Sequence, residues 1–95
     1  MPYVVEFREV VWDDLETLPR NIRERILRAV ELRLTTAPTH YGVKLRQALS
    51  NLWKLRVGDY RVVYEITGNH VTVWAVRHRK DVYAVVERRW FRTAA

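Results

Sequence analysis

With 95 residues, 48% of them hydrophobic, and only three Gly and three Pro, the chain has the size and composition of one folded domain spanning residues 1–95. Cysteine is absent, which excludes disulfides, thiolate nucleophiles and Cys-based zinc centres, and suits a reducing cytoplasm. The net charge of +6 is unevenly placed: residues 1–43 carry six Lys/Arg against seven Asp/Glu, and residues 44–95 carry eleven against four. A basic half is the electrostatic footprint of a nucleic-acid binder and also suits an acidic protein partner, whereas a merely solvated basic surface predicts cations scattered along the whole chain.

Residues 1–7 lack a basic region followed by an apolar run, and no segment approaches the length of a membrane span, so a soluble, cytoplasmic protein without membrane contact is expected. Tyr3 to Phe7 alternates and is rich in β-formers, which predicts a strand. A short helix follows over about Val11 to Leu18, with Leu15 and Leu18 inward. Pro19 then opens a second helix, where its missing N–H costs nothing. That helix runs to about Thr35, with Ile22, Ile26, Ala29, Val30, Arg33 and Leu34 at helical spacing, and Ala37-Pro38 ends it. The two helices read as an antiparallel hairpin, a packing layer more than a site. After a short polar connection come three strands, Leu52 to Val57, Tyr60 to Ile66 and Val71 to Arg77, joined by the turn signals Gly58-Asp59 and Gly68-Asn69. A last helix over about Lys80 to Phe91 aligns Val82, Val85, Val86 and Trp90 on one side, a stripe that needs a groove on its own sheet or on a partner. The fold class is α+β: an N-terminal strand, a helical hairpin on a twisted antiparallel sheet, and a C-terminal helix.

Strand alternation sorts core from cations. Trp53, Leu55 and Val57 point one way and Leu52, Lys54 and Arg56 the other; Tyr60, Val62, Tyr64 and Ile66 share the first face, Arg61, Val63 and Glu65 the second. Lys54, Arg56 and Arg61 are therefore expected together on a face the hairpin leaves uncovered, with Arg61 close across the ladder to Arg56. Like charges that near are costly unless an anion lies between them or Glu65 neutralises one.

Lys44-Leu45, the run from Leu52 to Glu65, and His78-Arg79-Lys80-Asp81-Val82-Tyr83, in that order and spacing, resemble the RelE/ParE superfamily of type II toxins, and the opening strand and helical hairpin extend the likeness over essentially the whole chain. The resemblance implies a RelE-like, microbial-ribonuclease-like fold and a cognate antitoxin with which the toxin forms a hetero-oligomer. RelE-like members cut mRNA in the ribosomal decoding site, whereas ParE-like members inhibit DNA gyrase and are not nucleases. The RelE-like reading implies catalytic roles for Lys54, Arg61, Arg79 and Tyr83, with Lys44, Arg46, Arg56, Arg77 and Lys80 on the RNA; the pattern's other lysine, two residues before Lys54, is Leu52 here, and the spacing from arginine to tyrosine is shorter than in some RelE proteins. The alternatives are a ParE-like gyrase inhibitor and a degenerate toxin that only binds its antitoxin and represses its operon.

RNA cleavage by 2′-hydroxyl attack needs a base for that hydroxyl, cations around the phosphate and an acid for the leaving oxygen. A guanidinium stays protonated, so Arg61 and Arg79 hold phosphate and cannot be bases. Phenol and ammonium groups titrate near about 10 in water, so Tyr83 as base requires clustered cations such as Lys54 and Arg56. His78, in the basic segment, is a second acid/base candidate or else closes a strand end by hydrogen bonding. A site so poor in ordinary acid-base groups is expected to be slow on free RNA and to gain from a ribosome that pre-bends the substrate. No metal or other cofactor is expected, because His40, His70 and His78 are dispersed without a carboxylate cluster. Among the tryptophans, Trp53 is expected in the core, Trp12 and Trp90 in packing roles, and Trp74 could pack or stack a base.

Overall fold

The computed structural model describes residues 2–94. Five strands and four helices follow one another as β1 (Val4–Phe7), α1 (Glu9–Glu16), α2 (Arg20–Ala29), α3 (Pro38–Tyr41), β2 (Val43–Lys44), β3 (Leu52–Val57), β4 (Tyr60–Thr67), β5 (His70–His78) and α4 (Val82–Ala94). The strands form one sheet in the order β1-β5-β4-β3-β2. Strands β3 to β5 pair antiparallel as expected and β2 adds antiparallel to β3, but β1 joins β5 in parallel, Val4 opposite His70 and Phe7 opposite Val73, so the sheet is mixed. The tight turns between β3, β4 and β5 use Gly58 and Gly68 at φ of 61° and 60°, where a side chain would be strained.

The second helix does continue to Leu34, but its last stretch, Val30–Leu34, widens into a π-helical turn. The widening keeps Ile26, Val30 and Leu34, each four residues apart, in line toward the sheet, where all three are buried, and leaves Leu32 exposed. The polar connection contains structure that periodicity does not reveal: α3, the two-residue edge strand β2, and a 3₁₀ turn at Gln47–Leu49.

Two cores sandwich the sheet. On one face, Val11 and Leu15 of α1, with Ile26, Val30 and Leu34, pack on Leu55, Val57, Val62, Tyr64, Val71, Val73 and Val76. The opposite face is not left open: Val82, Val85 and Val86 of α4 cover Leu52, Val63, Trp74 and Ala75, with Leu45 and the partly buried Leu49 and Trp90 at the margin. The stripe on the last helix thus finds its groove on its own sheet, at roughly 1.5–3 kcal/mol for each fully buried large apolar side chain. A bulge in β5 makes this possible. Val63 pairs with Ala75 and Tyr64 with Val73, so Trp74 is the extra residue, and Trp74 and Ala75 both face α4. The slip also moves Val76 onto the first core and Arg77 onto the cationic face.

Tyr64 is fully buried, its phenol is pushed up by burial, and its hydroxyl donates to the Pro38 carbonyl at 2.6 Å, tying α3 to the sheet. A Cβ at Gly42 would collide with that hydroxyl. Gly42→Ala is therefore expected to break the bond and cost about 1–3 kcal/mol in urea unfolding, with unchanged stability counting against the contact.

Candidate active site

Register and helix spacing set the site. Lys54, at the third position of β3, stands on the α4 face, and Tyr83, one residue into α4, projects beside the buried stripe of Val82, Val85 and Val86. The Lys54 ammonium donates to the Tyr83 phenolic oxygen at 3.1 Å and lies 5.5 Å from its ring centroid. Tyr83 is 38% exposed, so its oxygen is held yet open to a substrate.

Along the same end of the sheet, Arg56, Arg61 and Arg77 stand directly opposite one another across β3, β4 and β5. The fold relieves their repulsion in part. Arg61 turns Nη1 onto the carbonyls of Gly58 and Tyr60, at 3.0 and 2.9 Å, and Arg77 gives Nε to Asp14 at 2.9 Å. Glu65 neutralises none of them; its Oε1 accepts from the Trp74 indole at 3.4 Å. Arg56 is exposed. Arg79 is also exposed, in the turn before α4, and its backbone N–H donates to the Asp59 carbonyl at 2.8 Å, which docks that turn on the β3–β4 hairpin. Arg61 and Arg79 thus flank one corner of the sheet, with the Lys54–Tyr83 pair on the face beside it.

Other expected residues fall elsewhere. His78 is in register with Tyr60 and makes an edge contact with its ring, which places it on the opposite face from Tyr83. Its Nδ1 accepts the Lys80 backbone N–H at 3.2 Å. His78 thus closes the turn before α4, away from the Lys54–Tyr83 pair. Lys80 is exposed beside Arg79. Lys44 is in register with Trp53 and sits 5.7 Å over its ring, again on the far face, and Arg46 is exposed in the connection after β2. Arg77 is committed to Asp14, so it shapes the site more than it offers a free RNA contact. Leu52 is fully buried beneath α4, and a lysine there would be driven into the second core.

Asp14 is absent from the sequence-derived candidates. The carboxylate is fully buried, accepts the Val76 N–H at 3.1 Å just beyond the end of β1, and pairs with Arg77 and with both terminal nitrogens of Arg89, at 2.8 and 2.9 Å. Burial alone would raise its pKa. The hydrogen bonds from Arg89, Val76 and Arg77, with the Arg89 charge, outweigh that and hold it below the usual carboxylate value. Its spacing with Val11, Leu15 and Leu18 is the available signal: a carboxylate on an apolar helical face needs a partner. Trp74, the remaining ambiguity, is buried, meets Trp90 edge-on and lies beneath the Arg8 guanidinium, so it packs and does not stack a base.

A family model described as the ParE toxin of the type II toxin-antitoxin system parDE matches residues 5–83. The toxin RelG of Mycobacterium tuberculosis is 35% identical over 85 residues, covering 87% of this chain and 98% of that protein. Among solved structures, the toxin-antitoxin complex RelBE2 from M. tuberculosis aligns with a TM-score of 0.79 at 31% identity, covering 83% of this chain and 100% of that one. A mutant E. coli RelE in the free state aligns with a TM-score of 0.73 over 94% of this chain and 98% of that one; at 23% identity the likeness is one of fold. With the mixed sheet between two helical layers matching in fold and the sequence matching along most of its length, the chain belongs to the RelE/ParE superfamily of type II toxins.

Proposed function

We propose that this toxin is a ribosome-dependent endoribonuclease that cleaves mRNA in the decoding site and is neutralised by a cognate antitoxin. The observation that carries the reading is the Lys54–Tyr83 pair, a phenolic oxygen held at 3.1 Å by an ammonium on a face bordered by Arg56 and Arg61. In the proposed reaction the 2′-oxygen attacks the neighbouring phosphorus, the P–O5′ bond breaks, and Tyr83 as general base takes the 2′-hydroxyl proton while the leaving 5′-oxygen is protonated from solvent. Lys54 stabilises the charge on the Tyr83 oxygen, and Arg61 and Arg79 stabilise the crowded phosphate. Arg56, Lys80 and Arg46 guide the backbone. A ribosome supplies the bent substrate that so sparse a site does not impose by itself. An antitoxin partner is supported by the relative RelBE2, solved as a toxin-antitoxin complex.

The match to a ParE model favours a second reading, a gyrase inhibitor in which the basic face binds and does not cut. Mapping of mRNA 5′ ends by primer extension, with and without programmed ribosomes, separates the two. New ends confined to the decoding-site codon and dependent on ribosomes are expected; intact mRNA under both conditions, from folded protein that still arrests growth, would overturn the nuclease reading.

A further inference from the structure

On the flank of α4 away from Tyr83, a shallow pocket is lined by Arg8, Arg77, Arg88, Arg89 and Arg92. Arg88 and Arg92 lie more than a third of a helical turn from Tyr83 around α4, which gives the pocket a wall of its own. Asp14, beneath it, takes Arg77 and Arg89; among the described residues neither Arg8, Arg88 nor Arg92 has a carboxylate within ion-pair distance. Arg92 sits in the last turn of α4, where the helix dipole favours a cation. That does not account for Arg8, which arrives from the other end of the chain, with its Cζ 4.0 Å from the Trp74 ring centroid and Nη2 3.5 Å from the Thr93 hydroxyl.

From this arrangement we infer that the pocket is a second phosphodiester site, holding the backbone of a single-stranded RNA at a distance from the reacting phosphate. Guanidinium forks suit paired phosphate oxygens, and five of them around one buried carboxylate leave an excess of positive charge that an anion would relieve. An acidic peptide fits less well, since the pocket offers only Val10 and Val85 as apolar anchors. The row Arg56, Arg61, Arg77 crosses the sheet between the two flanks of α4, so one strand passing the N-terminal end of that helix would touch both sites. The inference rests on the RNA reading for its polymer but not on cleavage.

The test is fluorescence anisotropy of a labelled single-stranded RNA oligonucleotide across a salt series, using the full chain carrying Tyr83→Phe so that no product forms. Adding Arg88→Gln with Arg92→Gln, both exposed positions, is expected to weaken binding about tenfold at low salt and to flatten the log–log salt slope by about 1.4, at ~0.7 per lost contact. The control Arg20→Gln with Arg23→Gln, equal in charge and on α2 across the sheet, is expected to leave the slope at the parent value. An unchanged slope in the Arg88/Arg92 variant overturns the site, and so does a loss confined to a polyglutamate peptide, which would give the pocket to a protein partner. Loss of RNA binding in the Arg88/Arg92 variant, alongside absent cleavage on ribosomes by the protein with Tyr83 intact, would sink the nuclease reading and keep this one.

Discussion

Tyr83→Phe is expected to slow ribosome-dependent cleavage by about 10²–10⁴-fold, the range for removal of a positioned proton acceptor, while leaving thermal stability near the parent value. The second half of that expectation follows from packing. Tyr83 is partly exposed outside the apolar stripe of α4, and among the described residues its phenolic oxygen is bonded only to the Lys54 ammonium. Lys54→Met acts on the same atom from the other side and is expected to cost a comparable factor. Because the two residues work as one unit, the double variant should be hardly slower than the worse single one, a non-additivity that two independent RNA contacts would not show. Single-turnover rates on programmed ribosomes decide it: single variants within a few-fold of parent, or strictly multiplicative losses, would remove the pair from the chemistry.

Replacing Asp14 is expected to have the largest effect on stability. Asp14→Ala leaves Arg89 and Arg77 without their shared carboxylate and the Val76 N–H without an acceptor, which together should cost about 3–5 kcal/mol. For a domain of this size that lowers Tm by about 15–30 °C. Asp14→Asn keeps the shape and adds a pH signature. The folded-state pKa lies below the unfolded value of 3.8, so the ionised carboxylate contributes fully above that value and its contribution disappears as pH falls through the lower, folded one. Tm of the parent should therefore converge on that of Asp14→Asn as the pH drops below about 4. Parallel Tm curves across that window would show that Asp14 does not carry the linkage.

Legibility in the sequence tracked the regularity of each signal. Strands β3 and β4 could be placed by alternation because Lys54, Arg56 and Arg61 interrupt an otherwise apolar pattern at every second position. The bulge in β5 was hidden, since Val73 to Val76 is apolar throughout and an extra residue there leaves no break in the pattern. The parallel pairing of β1 could not be read at all, because five residues with no turn signal say nothing about a partner 66 positions away. At the site, the Arg56–Arg61 register was readable from a tight turn, whereas Lys54 and Tyr83 were linked through the family resemblance, their contact depending on where α4 docks on β3. The roles of Arg8 and Arg89 were not, because both depend on where α1 and α4 meet, a tertiary fact with no local signature. Charge accounting by halves misled for the same reason: Arg8 belongs to the acidic half in sequence and to a basic pocket in space.

The parallel seam between β1 and β5 governs when this molecule becomes dangerous. The first strand has no partner until the last one exists, and the final helix then supplies both Tyr83 and the Arg89 that locks onto Asp14. Pairings this remote in sequence fold on the slow side for a small domain, in milliseconds to seconds. A chain in which β5 and α4 have not yet emerged therefore lacks both the seam and the completed Lys54–Tyr83 pair.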